Sequence, residues 1–264
     1  MGQGECHCRN TDGITVEERE STEEAQTKLV ENETSNGSTR GLFNSHPAFH
    51  EVASPCGLPD GSRYRGQLVE GKAHGYGRVE YTDGDVYEGE WVEDEAHGNG
   101  TYVNDRNSSR YEGCWLKNQK HGHGKEDWHD GAQYTGKYVE GVQSGRGRFT
   151  WADGSSYEGE FLAGKFHGEG LFTWADGRNY KGGWQANLMH GHGSHQWPDG
   201  HCFEGQYVSG RKAGSGTFYW PDGRQVEGDW KDGVLHGNGV YVTTDEEVEC
   251  SWDHGHIKDN KAVQ

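Results

Sequence analysis

The chain is poor in what builds a compact globule: of its 264 residues only 30% are hydrophobic, and mean hydropathy is −1.07. So few aliphatic side chains cannot offset the conformational entropy of one conventional core. No apolar run reaches the ~18 residues of a membrane-spanning helix, and no apolar h-region marks an export signal. The six cysteines are therefore expected as thiols in a reducing cytoplasm, peripheral to the plasma membrane or at a cilium or flagellum. Positive charge is also scarce, with 25 Lys and Arg against 43 Asp and Glu. That balance excludes nucleic acid as a partner and disfavours electrostatic adhesion to anionic lipid. Missing too are a Ser-His-Asp order, a Walker-type loop and a dinucleotide fingerprint. The expectation is a protein with no catalytic residue, no metal and no cofactor.

What the chain has instead is 44 glycines, 10 tryptophans and 13 tyrosines, set in a repeat. An aromatic residue opens each unit at Tyr64, Tyr87, Tyr111, Tyr134, Tyr157, Tyr180 and Phe203, with Val226 and Val248 in the same slot. The intervals are 22 to 24 residues, which marks a repeat array. Residues 1–60 lack the repeat and are acidic and poor in large apolar side chains, which predicts a disordered leader. The array is expected over 61–258, as eight units and a partial ninth, with a tail at 259–264.

Strict alternation within each unit predicts two strands. Tyr87, Gly89 and Trp91 fall on one face, and Glu88 and Glu90 on the other. A second strand repeats the pattern, as in Gly170, Phe172 and Trp174. Asp-Gly follows it at Asp83, Asp130, Asp153, Asp176, Asp199 and Asp222, and is expected to turn the chain with both residues at positive φ. The fold class that follows is all-β: an elongated, twisted, single-layer antiparallel meander of about 16 strands in consecutive β-hairpins.

The unit Tyr87-Glu-Gly-Glu-Trp91 with His97-Gly-Asn-Gly100, and Tyr157-Glu-Gly-Glu-Phe161 with His167-Gly-Glu-Gly170, resembles the MORN (membrane occupation and recognition nexus) repeat family. The resemblance covers about residues 64–255 and implies consecutive hairpins with a non-catalytic role in membrane attachment, scaffolding or ciliary assemblies. Departures sit at Asn104–Arg110, an insertion; at Ser144 and Ala213, which replace the repeated His; and at Cys250, which replaces a glycine.

Three features carry candidate function. The first is the aromatic face, which is core and is also expected to stay partly open for docking. Its first strands supply Tyr64, Tyr87, Trp91, Tyr111, Trp115, Tyr134, Tyr138, Tyr157, Phe161, Tyr180, Trp184, Phe203, Tyr207 and Trp230. Its second strands supply Trp128, Phe149, Trp151, Phe172, Trp174, Trp197, Phe218 and Trp220. A partner helix or a second copy of the array, as in a homodimer, fits such a face. The second feature is the row His74, His97, His121, His167, His190 and His236. A metal reading fails here because a whole hairpin separates these residues and no acidic or thiol ligand recurs beside them.

The third is Met1-Gly-Gln-Gly-Glu-Cys6-His-Cys8. Gly2 becomes terminal after Met removal and is a myristoylation candidate, with Cys6 and Cys8 as palmitoylation sites. One acyl chain holds a protein to membrane only marginally, so both signals would act together. Three functions fit these features: an acyl-tethered scaffold, a radial-spoke-like axonemal component, and a phosphoinositide-binding or lipid-kinase regulatory module acting in trans. The intact mass of the N-terminal peptide from native material is expected to carry an added acyl group, and Gly2→Ala is expected to remove it. An unmodified peptide rules the tether out.

Overall fold

The computed structural model describes residues 56–58 and 60–262. The acylation candidates Gly2, Cys6 and Cys8 lie outside them. The described residues divide into two compact units, one running to Gly154 with Glu160–Gly164 added, the other holding Ser155–Gly159 and everything from Lys165. The first unit contains β1 (Cys56–Gly57), β2 (Arg63–Val69), β3 (Lys72–Glu80), β4 (Val86–Val92), β5 (Glu95–Asn104), β6 (Ser109–Leu116), β7 (Gln119–Asp127), β8 (Gln133–Val139) and β9 (Val142–Thr150). Strand β10 (Ser156–Leu162) contributes to both units. The second holds β11 (Lys165–Thr173), β12 (Asn179–Gln185), β13 (Leu188–Gln196), β14 (Cys202–Val208), β15 (Arg211–Tyr219), β16 (Gln225–Lys231), β17 (Val234–Val242), β18 (Glu247–Asp253) and β19 (His256–Ala262).

The expected all-β meander is what the structure shows. In the first unit each strand from β2 to β9 pairs antiparallel with its successor. The second does the same from β11 to β19. Pairing extends past the expected 61–258 on both sides: β1 pairs with β2, and β19 carries the ladder to Ala262. Residues 259–262 of the segment expected as a tail thus belong to the return strand of the last hairpin.

Two turn types alternate, and the sequence reading placed the tighter one at the wrong junction. The two-residue turn lies inside each unit, at Glu70-Gly71, Glu93-Asp94, Lys117-Asn118 and Ala186-Asn187, where both residues have positive φ. That is the I′ geometry that matches strand twist. At Asp-Gly only the glycine is left-handed: Asp83 is not, Gly84 is at φ 93°. There the loop has three residues, closed by Gly84 N–H to the Tyr81 carbonyl at 3.1 Å and Tyr81 N–H to Asp85 at 2.9 Å. The aspartate earns its place through its side chain, which accepts the N–H two residues on, as in Asp130 from Ala132 at 2.9 Å and Asp199 from His201 at 3.1 Å.

The I′ turns also stitch neighbouring repeats. Asp94 N–H donates to the Ala73 carbonyl at 3.0 Å while Asp94 Oδ1 accepts from Ala73 N–H at 2.7 Å. Asn118 with Ala96 and Asn187 with Phe166 do likewise. A short polar side chain that tolerates left-handed φ therefore acts as one more backbone unit across the repeat boundary.

The His-Gly-x-Gly motif is a β-bulge. Between Gly66↔Gly77 and Leu68↔Ala73 the single residue Gln67 faces His74, Gly75 and Tyr76, and Gly75 bends the strand at φ 75°. The second glycine of the motif serves a different purpose. Gly100 pairs with Gly89, and a β-carbon at either would overlap the Tyr87 ring lying across them. Gly124, paired with Gly113, is covered by Tyr111 in the same way. Gly124→Ala is therefore expected to cost about 3 kcal/mol, as overpacking against an immobile ring. Gly141→Ala, at φ 85° with nothing within 4 Å, is expected to cost only about 1 kcal/mol of backbone strain. Urea-unfolding midpoints of the two variants test this order.

Candidate functional site: a closed ring layer and an exposed aliphatic edge

The predicted aromatic face assembles as one ladder of rings in each unit. Tyr87 meets Trp91 of its own strand at 5.0 Å and Trp115 of the next repeat at 5.1 Å, both edge to face. Tyr64–Trp91, Tyr111–Tyr138 and Tyr134–Phe161 repeat the inter-repeat contact. In the second unit Tyr157–Trp184, Tyr180–Tyr207 and Phe203–Trp230 do so. Such pairs add about 0.5–1.5 kcal/mol each beyond area burial. The polar tips are used as well: Tyr87 Oη donates to the Glu90 carbonyl at 2.9 Å, and Trp91 Nε1 to the Gly77 carbonyl at 3.0 Å. Burial pushes the Tyr87, Tyr111, Tyr134 and Tyr180 phenols well above their ordinary range.

A second row runs beside the loops. Trp128 stacks on Phe149, which packs on Trp151. In the second unit Phe172, Trp174, His195, Trp197, Phe218 and Trp220 follow one another at centroid separations of 4.1 to 6.1 Å. The rings cover one another so fully that every aromatic residue named as a docking position is buried, except the half-buried Trp128, Trp197 and Trp220. The expected open aromatic face narrows to those three edges, because a ring lying flat over two glycines is itself covered by the ring of the adjacent repeat.

The opposite face departs from expectation at Glu88, which is buried rather than solvated. It is bonded to Tyr76, whose phenol is pushed up to about 12 by burial first and the Glu88 charge second. Glu90 stays exposed, and its carboxylate accepts the Asn99 N–H at 2.8 Å, so the acid at this position caps the bulge.

Charged side chains inside the ring layer were missed by pattern reading, which looked for what recurs and not for where recurrence breaks. Lys120 reaches Glu126 at 2.5 Å, and Glu126 accepts the Tyr138 hydroxyl at 2.9 Å, in slots that hold Phe166 and Phe172 two repeats later. Lys212 is buried with its ammonium 4.7 Å from the Phe203 centroid and 4.9 Å from that of Trp230. His195 is buried between Trp174 and Trp197, and burial, followed by the Lys212 and Arg178 charges, lowers it to about 3.

What the sequence reading did not anticipate is a row of exposed aliphatic residues. Val69, Val92, Leu116, Val139 and Leu162 end the first strand of five successive hairpins in the first unit, and all are exposed, Leu162 by 55%. Val92, Leu116, Val139 and Leu162 each follow a buried ring-layer residue (Trp91, Trp115, Tyr138 or Phe161), so alternation points them to the opposite face; Val69 follows Leu68, which is itself exposed. Repeats two strands apart space these side chains by about 10 Å. The turns beside them are rich in acid, with Glu70, Glu93, Asp94, Glu95 and Glu140 against Lys72, Lys117 and Lys165. The signal that could have located this row is the 23-residue recurrence of Val or Leu after the aromatic slot.

The histidine in the ring layer gives a pH test. Its folded value lies below the unfolded 6.5, so the native state binds fewer protons between about pH 3 and 6.5. The contribution of His195 to stability is complete above about pH 6.5 and is lost as pH falls through that window. His195→Phe, which installs the residue found at Phe172 and Phe218, is expected to remove about 1–2 kcal/mol of the loss between pH 7.5 and pH 5. Urea midpoints of both proteins at the two pH values check it.

Among solved structures the chain is similar to a mutant of the TCP10 domain of Danio rerio CPAP, at 12% identity over 80% of this chain and 100% of that one, with a TM-score of 0.44. It is also similar to the SAS-4 (dCPAP) TCP domain of Drosophila melanogaster in complex with a proline-rich motif of Ana2, at 10% identity over 70% and 94% of the two chains, with a TM-score of 0.36. No curated protein sequence matches significantly. The MORN repeat model matches eight times, at residues 64–86, 87–105, 111–133, 134–156, 157–177, 180–202, 203–223 and 227–247. With the hairpin, bulge and ring ladder recurring in step with those matches, the chain belongs to the MORN repeat family.

Proposed function

We propose that this MORN-repeat protein is a non-enzymatic scaffold that docks a protein partner along the hairpin ends of its first unit, at a membrane or cytoskeletal structure. The observation that carries the reading is the contrast between the two sets of apolar residues. The rings are consumed by one another, whereas Val69, Val92, Leu116, Val139 and Leu162 remain exposed in a regular row. A soluble sheet gains nothing from five aliphatic side chains in water, and a row of that kind serves a contact.

The repeat distance selects the partner. A helix advances about 10.5 Å per seven residues, close to the ~10 Å between successive exposed side chains. An amphipathic helix with one apolar residue in seven therefore stays in step with this row. The acidic turns favour Lys and Arg on its flanks. Acylation at Gly2, Cys6 and Cys8 would supply the membrane attachment, because the array carries net negative charge and so gives lipid no electrostatic foothold.

Quantitative affinity purification from the source cells compares wild type with the Val92→Asp/Leu116→Asp/Val139→Asp triple variant. The substitutions lie on the surface and are expected to change stability by about 0.5 kcal/mol or less each, read by thermal melting. Partners of the wild type are expected to fall at least about tenfold in recovery, as three desolvated aliphatic contacts are replaced by charge. An unchanged partner set at unchanged stability overturns the assignment of this edge.

A further inference from the structure

Metal binding fails as a property of the repeated histidines because nothing ligand-like recurs beside them. At one place the fold supplies what the repeat lacks. The bulge of β17 carries His236, β18 ends in Asp253, and the two-residue turn that follows opens with His254 at φ 48°. The positions equivalent to Asp253 and His254 hold Val92 and Glu93 beside His74, and Leu116 and Lys117 beside His97. The pairing of a carboxylate and a second imidazole with the bulge histidine is thus specific to the last repeat.

The geometry is close to that of a ligand set. His236 Nδ1 lies 3.7 Å from Asp253 Oδ1, and His254 Nε2 lies 3.9 Å from the same oxygen. All three ligand atoms fall within 4.8 Å of one another. A cation equidistant from atoms so spaced sits about 2.2–2.5 Å from each, against about 2.0–2.2 Å for Zn–N and Zn–O bonds. His254 is exposed, with room to close the difference by a small rotation. Lys258 binds the other carboxylate oxygen at 3.0 Å and so leaves Oδ1 facing the imidazoles. His236 Nδ1 itself is shielded from solvent and makes no hydrogen bond, while its side chain as a whole is 36% exposed. A buried ring nitrogen left without a bond is costly, and a metal is the ligand that nitrogen, aimed at a carboxylate, is suited to take.

We propose that His236, Asp253 and His254 form a binding site for one zinc-class divalent cation, with the remaining coordination position open to water. Two imidazoles with one carboxylate select zinc over calcium or magnesium, which prefer all-oxygen shells. The site ties the bulge of β17 to the turn between β18 and β19. Among the described residues β19 pairs with β18 alone, so the metal closes the end of the second unit's ladder, where lateral support is least.

Full-length protein, stripped by chelator, is titrated with cobalt and then with zinc. A Cys6→Ser/Cys8→Ser background removes the N-terminal thiols, which could hold metal by themselves. One equivalent is expected to bind, with visible cobalt bands and no thiolate charge-transfer band in the near ultraviolet. His254→Asn keeps a residue suited to left-handed φ and is expected to melt normally when metal-free, yet to lose at least about tenfold in affinity. Asp253→Asn is expected to lose as much, whereas His190→Asn, in a bulge without the Asp-His pair, is expected to lose nothing. Zinc is also expected to raise the melting temperature of the parent but not of His254→Asn. Equal affinity in the parent and His254→Asn, a thiolate band, or no binding below about 1 mM metal overturns the site.

Discussion

A tyrosine ring laid across a pair of glycines is the contact from which the rest of the array follows. Only a residue without a side chain leaves room for the ring, so Gly89 and Gly100 must face one another and Tyr87 must cross them. The hydroxyl then reaches the carbonyl of Glu90, the residue opposite the bulge, and the Glu90 side chain caps the bulge's N–H. The bulge needs Gly98 at positive φ. Each element of Tyr-Glu-Gly-Glu-Trp and His-Gly-x-Gly is therefore part of one local arrangement, and losing one glycine affects all of it.

The same contact decides what the array can offer a partner. Rings that cover glycines in one repeat are covered by the ring of the next, so the layer is filled from within and the larger aromatic residues become core. What the ring layer does not enclose are the aliphatic residues at the hairpin ends, which stay exposed. Identity within so regular a frame resides in its exceptions: a lysine and glutamate in place of rings at Lys120 and Glu126, a neutral histidine at His195, and an aspartate beside two histidines at Asp253.

Much of the local structure was legible. Period-2 alternation gave the strands and their ring-bearing face, because adjacent residues of a strand must point to opposite sides. Turn chemistry was read less well. Asp-Gly is favoured in two different loops, and only the partner register shows that the I′ turn falls at Glu93-Asp94 and not at Asp83-Gly84. Glu88 was misread for a related reason. Its face is polar, but Tyr76 on the neighbouring strand covers it.

By itself the sequence determined the repeat, the strands, the family and the placing of glycines and rings on one face, since all of these are set by residues within one 23-residue unit. Only the tertiary structure decided which side chains are enclosed. Burial at Tyr87 depends on Trp115 one repeat away, the exposure of Leu116 on where its strand ends, and the meeting of His236 with Asp253 and His254 on antiparallel pairing across β17 and β18. The physical reason is range: alternation is a property of neighbours in the chain, whereas enclosure and ligand geometry are properties of neighbours in space.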